Sequence, residues 1–167
     1  MNKKLLTGMA AICAMGLSAG VWAADAATAD EVVAKVKESA AAVKAGGDAA
    51  LADFNDPKGK WAWKDTYVFV MDCKEGVMTA HPSEKVRGAK MADVLKDKAT
   101  GKEFGTALCA AAAEGPNGGW VEYMWTKPGA EGNFRKISLV RTAGKYVVGA
   151  GVYDDKLTAA ELAAKIK

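Results

Sequence analysis

The side chains best suited to holding a small anion lie on strands predicted for the second half of the chain. Lys136 stands in the middle of one predicted strand, and Tyr123 and Trp125 share one face of the strand before it because side chains alternate along a strand. An ammonium group beside aromatic hydrogen-bond donors can anchor a carboxylate in an otherwise apolar pocket. From the residues alone, a Lys136 that faces solvent is the alternative.

Three further residues are candidates for the same pocket. His81 is the only histidine in the chain and ends a predicted strand just before Pro82. Tyr67 begins another predicted strand, and Tyr153 ends the last one. Each has a structural alternative, because a lone histidine is often a surface or hydrogen-bonded core residue, and aromatic strand residues often belong to the plain core. The ligand-binding prediction therefore depends on whether the fold brings these side chains together.

No motif in the sequence gives a reason to expect catalysis, a cofactor or a metal. The chain contains no His-Glu-x-x-His zinc motif, no phosphate-binding loop and no calcium-binding loop. A Cys/His zinc site lacks ligands in a chain with one histidine unless carboxylates join. The net charge is +3, and no basic stretch is interleaved with aromatic residues, so nucleic-acid binding is not expected either.

The first 23 residues have the three parts of a secretory signal peptide. Two lysines precede an uncharged stretch over residues 5–24, which is rich in Ala, Leu, Met and Gly and ends in small residues. An uncleaved anchor is the alternative, although the stretch is at the short end of the about 17–25 residues that a spanning helix requires. We predict a cleaved signal over residues 1–23 and a single domain over residues 24–167, in the periplasm or secreted.

Two cysteines, Cys73 and Cys109, remain after the predicted cleavage. In an oxidising compartment an even pair of cysteines predicts a disulfide, and two buried free thiols are the alternative. The chain has no Cys-x-x-Cys pair, so a thioredoxin-type redox role is not expected. The predicted bridge is therefore structural.

The order of the predicted elements indicates an α+β domain with one antiparallel sheet of about five strands. Capping-box spacing of Thr28 and Glu31 begins a long N-terminal helix, and the same spacing of Thr158 and Glu161 begins a last helix. We expect Trp61 and Trp63 to seal the junction between the first helix and the sheet. The strands are predicted over residues 67–71, 77–81, 120–126, 134–142 and 146–153, and shorter helices over residues 48–54, 88–95 and 103–113.

Six segments of the chain, taken in order, resemble the Cache domain in its single, type 2 form. They are residues 54–61, 65–70, 80–82, 119–125, 136–138 and 148–153, and they extend over nearly the whole predicted domain. The resemblance implies a PAS-like fold, in which a long N-terminal helix packs beside a central antiparallel sheet and short helices cover one face. A small-molecule pocket would lie under that cover. The matching segments place His81 and Lys136 toward it.

The resemblance also implies a sensory role and the partners that go with it. Cache domains are typically extracytoplasmic modules of chemoreceptors and histidine kinases, and many recognise short organic acids. We expect a free binding module that acts with an envelope kinase, chemoreceptor or transporter. The long N-terminal helix could also form a homodimer interface. The alternatives are a ligand-free structural or regulatory accessory protein of the cell envelope, and a membrane-tethered sensor if the signal is not cleaved.

Overall fold

The N-terminal part of the domain is a long helix that begins where the capping box predicts. The computed structural model describes residues 25–97 and 100–166, so the predicted signal peptide lies outside the described residues. Helix α1 is Ala29–Gly46; the Glu31 N–H donates to Thr28 Oγ1, and the Thr28 N–H donates to the Glu31 carboxylate. Gly47–Asn55 follows as a 3-10 helix, close to the short helix predicted over residues 48–54.

The predicted α+β fold, with one antiparallel sheet of five strands, is confirmed. The sheet has the strand order β4-β3-β7-β6-β5, and β1 and β2 form a separate hairpin. All pairs in the sheet are antiparallel. The strands are β1 Ala62–Trp63, β2 Thr66–Tyr67, β3 Phe69–Asp72, β4 Val77–Ala80, β5 Gly119–Thr126, β6 Asn133–Ala143 and β7 Tyr146–Tyr153.

The helices between and after the strands are shorter than predicted. They are α2 Met91–Val94, α3 Gly105–Ala112 and α4 Ala159–Leu162, the last continued by a 3-10 turn at Ala163–Ile166. The segment before α2 cannot be helical because it runs beside β4, where the Gly88 N–H donates to the Met78 carbonyl and the Met78 N–H donates to the Ala89 carbonyl. The capping box formed by Thr158 and Glu161 begins α4 as predicted.

The strand predicted over residues 67–71 is wrong in one respect, because two elements share it. Tyr67 ends β2 and pairs with Ala62 in the small hairpin. The Val68 N–H then donates to the Trp61 carbonyl at 2.8 Å, and the chain enters the main sheet only at Phe69. Tyr67 therefore belongs to the small hairpin and not to a strand of the main sheet.

The two faces of the sheet carry two separate cores. Helix α1 packs on one face, where its buried residues Val32, Val36 and Val43 meet Ile137 and Val148. On the other face, α2 and α3 cover a second apolar cluster built on β3, β4 and β7; it includes Phe69, Met71, Met78, Met91, Leu95, Phe104, Leu108 and Val147. The predicted binding residues lie on this second face.

Candidate functional site

Lys136 lies in the middle of β6 with its side chain on the face covered by α2 and α3. It pairs with Tyr123 of β5 on one side and with Tyr153 of β7 on the other. The side chain is fully buried, at 0 % exposure. The solvent-facing alternative for this lysine is therefore wrong, because the residues that flank it on both neighbouring strands enclose it.

Two glycines in β7 leave the space in which this lysine and its aromatic neighbours lie. A Cβ atom at Gly151 would come within 2.3 Å of Ser138 Oγ and 3.0 Å of Lys136 Cε. A Cβ atom at Gly149 would come within 2.5 Å of the Phe69 ring. Contacts this short cannot be accommodated without displacing the site residues, so the alternating glycines shape the pocket face of β7.

The amino group of Lys136 lies among aromatic rings. Its Nζ atom lies 4.2 Å from the centre of the Tyr67 ring, 5.0 Å from that of Tyr153 and 5.7 Å from that of Phe69. Among the described residues, no atom forms a hydrogen bond with it. Burial lowers the pKa of Lys136 to about 7, although the negative charge of Asp65 acts in the opposite direction.

Hydrogen bonds fix the aromatic side chains around this ammonium group. Trp125 Nε1 donates to the Tyr67 hydroxyl at 2.6 Å, and the Tyr123 hydroxyl lies 2.8 Å from Ser138 Oγ. The Tyr153 hydroxyl donates to a carbonyl at the end of β5. Burial raises the pKa of Tyr67 to about 12, so its hydroxyl keeps its proton and can donate it to a ligand.

His81 follows β4 and is buried against Tyr67, with 4 % of its surface exposed. The two rings meet edge to face at 4.7 Å. The Ser83 N–H donates to His81 Nδ1 at 2.9 Å, so the neutral ring carries its proton on Nε2. Burial, followed by the positive charge of Lys136, lowers the pKa of His81 to about 3. His81 is thus an uncharged hydrogen-bond donor at neutral pH.

Two cavities meet at this cluster. The inner one is about 10 Å³, barely the space of one water molecule, and is lined by Tyr67, Phe69, Met78, His81, Leu95, Leu108, Tyr123, Trp125 and Lys136. The outer one is an open cleft of about 380 Å³ between the β1–β2 hairpin, the segment after β4 and the loop after β5. Tyr67 and His81 line both cavities and therefore separate them.

The structure brings five of the six predicted binding residues to the inner cavity, and it places Tyr153 beside Lys136 at the rim. Whether they bind a ligand stays a prediction. Sequence reasoning missed the apolar walls Leu95 and Leu108, which come from the weakly periodic middle of the chain. Trp61 stacks on Phe54 in the core between α1 and the sheet, as expected, and Trp63 packs against the same core and also lines the outer cleft.

Asp65 is a further buried residue that the sequence did not single out. It lies in the turn between β1 and β2 at 2 % exposure. Its Oδ1 atom accepts a hydrogen bond from the Ala27 N–H at 2.8 Å, and its Oδ2 atom pairs with Lys127 Nζ at 2.8 Å. Lys127 belongs to the loop after β5 and also lies 5.5 Å from the Tyr153 ring centre. Asp65 therefore joins three segments at the mouth of the site.

The predicted disulfide between Cys73 and Cys109 is confirmed, and it fixes the cover of the site. The two sulfur atoms are 2.04 Å apart. Cys73 follows β3 and Cys109 lies in α3, so the bond ties the helix that carries Leu108 to the sheet beneath it.

The described part of the chain contains neither a metal-binding cluster nor a membrane-spanning helix. Residues 25–97 and 100–166 contain no group of three or more His, Cys, Asp or Glu side chains arranged to hold a metal ion. Within the same ranges, none of the helices has both the length and the apolar character needed to cross a bilayer.

A helix on one face of a five-stranded antiparallel sheet and a covered pocket on the other define a PAS-like fold. The family model of the Cache domain matches residues 30–158, which is well over half of the chain. The chain therefore belongs to the Cache domain family, whose members are extracytoplasmic sensory modules without catalytic activity. Among curated proteins, none matches the chain significantly.

Solved structures of chemotaxis sensors share this fold. A methyl-accepting chemotaxis protein from Vibrio parahaemolyticus is 24 % identical, with a TM-score of 0.59 over 75 % of this chain and 87 % of that one. The periplasmic sensor domain of a chemotaxis protein is 27 % identical, with a TM-score of 0.53 over 74 % and 88 %. A Cache chemosensory domain described by its carboxylic acid recognition is 25 % identical, with a TM-score of 0.52 over 74 % and 86 %.

Proposed function

We propose that this Cache domain binds a small carboxylate outside the cytoplasm, with the Lys136 ammonium group as its anchor. The observation that carries the proposal is a fully buried lysine whose Nζ atom has no hydrogen-bond partner among the described residues. The charged form of such a group is costly unless an anion pairs with it. The similarity to a Cache domain that recognises carboxylic acids supports the same class of ligand.

The neighbours of Lys136 supply hydrogen-bond donors for the second oxygen of a carboxylate. His81 Nε2 carries a proton, because Nδ1 is already an acceptor for the Ser83 N–H. The Tyr67 hydroxyl accepts from Trp125 and keeps its own proton to donate. Ligand pockets are mostly apolar and orient the ligand with a few convergent polar groups. Two hydrogen-bond donors beside one lysine fit this description.

A ligand reaches Lys136 only if the residues between the two cavities move. The inner cavity of about 10 Å³ is too small for a carboxylate with even one carbon substituent. Tyr67 and His81 separate it from the outer cleft of about 380 Å³. We therefore propose that the ligand enters from the outer cleft and that these two side chains turn aside as it binds.

Side chains fill nearly all of the inner cavity, and this favours a second candidate function, a ligand-free accessory protein of the cell envelope. In that case the aromatic rings around Lys136 satisfy its charge by cation–π contacts alone. This candidate predicts that no small molecule stabilises the domain and that it co-purifies with an envelope kinase, chemoreceptor or transporter.

Thermal unfolding in the presence of small acids decides between the two candidates. Acetate, lactate, pyruvate and succinate are added separately to the purified domain, and at least one is expected to raise its melting temperature by mass action on the folded state. The shift should vanish in Lys136→Met and persist in Lys37→Met, which removes an exposed lysine of α1. No shift with any of the acids, or an equal shift in Lys136→Met, contradicts the proposal.

Export is the second part of the proposal, since a cleaved signal over residues 1–23 would release the domain into the periplasm. The basic start and uncharged stretch of these residues support it, as does the extracytoplasmic setting of the family. Intact-mass measurement of the protein from a periplasmic extract should show a chain that begins at residue 24. Recovery of the full-length chain in the membrane fraction would instead favour a tethered sensor.

A further inference from the structure

Among the described residues, the titratable side chains that surround the Lys136 amino group are uncharged at neutral pH. The titratable side chains around it come from β2, β5, β7 and the segment after β4; they are Tyr67, Tyr123, Tyr153 and His81. Burial raises the pKa of each tyrosine and lowers that of His81, so all four are uncharged at neutral pH. The residues that reach the inner cavity from above, Leu95 and Leu108, carry no charge.

The carboxylate that influences Lys136 is already engaged elsewhere. Asp65 accepts a hydrogen bond from the Ala27 N–H and pairs with Lys127, and Lys136 Nζ does not bond to it. Its negative charge raises the pKa of Lys136, but burial has the larger effect and lowers it to about 7. The empty site therefore holds Lys136 with a large share of uncharged amine near neutral pH.

We propose that a carboxylate binds at Lys136 together with one proton, which the lysine takes from the solvent. This inference rests on the proposed function. A carboxylate in contact with Nζ favours the ammonium form, whereas the buried empty site favours the amine. Because each of the two events makes the other more favourable, ligand binding and protonation are coupled by linkage.

The binding step changes the number of protons on one atom, Lys136 Nζ. Above the pKa of about 7, most of Lys136 carries an NH₂ group before binding, and the ligand is a free carboxylate. After binding, one proton from the buffer has formed a third N–H bond, and the ligand keeps its negative charge. His81 neither gives nor takes this proton, since it stays uncharged with its own proton on Nε2.

The coupling makes the affinity depend on pH. Above the pH at which the empty-site lysine loses its proton, the affinity should fall about tenfold for each pH unit, because one proton must be taken up for each ligand bound. Below that pH, Lys136 is already charged and the affinity should level off. A site built on a permanently charged group would show neither the fall nor the change of slope.

Calorimetric titration in several buffers counts the proton directly. The probe is the acid among acetate, lactate, pyruvate and succinate that gives the largest thermal shift, titrated in HEPES, Tricine and Tris at about pH 8.5 and in two buffers at about pH 6. The slope of the observed enthalpy against the ionisation enthalpy of the buffer gives the protons taken up. We expect close to one proton at the higher pH and clearly less than half a proton at the lower.

The outcomes separate this inference from the function on which it rests. Measurable binding with a slope of zero at both pH values overturns proton uptake and leaves carboxylate binding intact. No binding of any of the acids overturns both. Lys136→Arg is the control variant: arginine stays charged throughout this range, so any binding that it retains should take up no proton. An unchanged proton count in Lys136→Arg would assign the uptake to another group and overturn the inference.

Discussion

Replacing Lys136 with methionine should stabilise the ligand-free domain, and the gain should shrink as the pH rises. The lysine is fully buried and has no hydrogen-bond partner in the described part of the chain, and its pKa in the folded protein is about 7 against an ordinary value of 10.5. Methionine has a similar length and no charge, and it suits the apolar neighbours. The variant therefore removes the cost of holding an ammonium group away from water.

The sign and size of the effect follow from the two pKa values. Between pH 7 and 10.5 the unfolded chain binds a proton at Lys136 that the folded protein has largely lost, so wild-type stability rises with pH in this window. Relative to a side chain that does not titrate, Lys136 should lower the free energy of unfolding by about 4 kcal/mol at pH 7 and by about 2 kcal/mol at pH 9, at 1.36 kcal/mol for each pKa unit. The advantage of Lys136→Met should thus fall by about 2 kcal/mol.

Urea unfolding followed by tryptophan fluorescence measures this difference at several pH values. Subtracting the free energy of unfolding of the wild type from that of Lys136→Met cancels all other groups that titrate in both proteins. Lys37→Met, on the exposed side of α1, should show a difference near zero at every pH. If the advantage of Lys136→Met is constant from pH 6 to pH 9, the lysine does not lose its proton in the folded protein and the reasoning fails.

Three other predictions concern the shape of the pocket, its cover and its histidine. Gly151→Ala should cost about 1–3 kcal/mol and weaken carboxylate binding, because its Cβ atom would lie 2.3 Å from Ser138 Oγ; wild-type stability in urea unfolding would contradict this. Removing the disulfide by changing Cys73 and Cys109 to serine should cost about 3–4 kcal/mol by the loop-entropy estimate for a separation of 36 residues; a loss below about 1 kcal/mol in urea unfolding would refute it. The NMR signal of His81, the only histidine, should show no titration between pH 8 and pH 5 in the folded protein, and an inflection near 6.5 would disprove its burial as an uncharged ring.

The parts of the fold that the sequence predicted well are those with local signals. Thr28 and Thr158 form the capping boxes that their spacing indicates, and the glycine-containing turns end the strands close to where they were expected. The long strands β5, β6 and β7 were predicted within a residue or so because turn-forming residues bound runs rich in β-branched and aromatic residues. Each of these signals depends on residues a few positions apart, so the fold adds little to them.

The parts that the sequence predicted poorly depend on contacts between distant segments. Tyr67 leaves the expected strand because Val68 bonds to Trp61, and residues 88–90 are not helical because they bond to β4. The role of Asp65 as a junction for Ala27 and Lys127 has no signature in its own neighbourhood. Pairings of this kind are decided by tertiary structure, which overrides local propensity.

The candidate site combines both kinds of information. Strand alternation placed Tyr123 and Trp125 on one face and Lys136 beside them, yet alternation alone does not say whether that face meets solvent or protein. The disulfide at α3 holds a cover over this face, and the glycines of β7 leave space beneath the cover. These two features decide that the face meets protein. The same lysine on an open sheet would be an ordinary exposed charge with an ordinary pKa. Enclosure by the cover makes the charged form of Lys136 costly without a partner, so an anion that pairs with it stabilises that form.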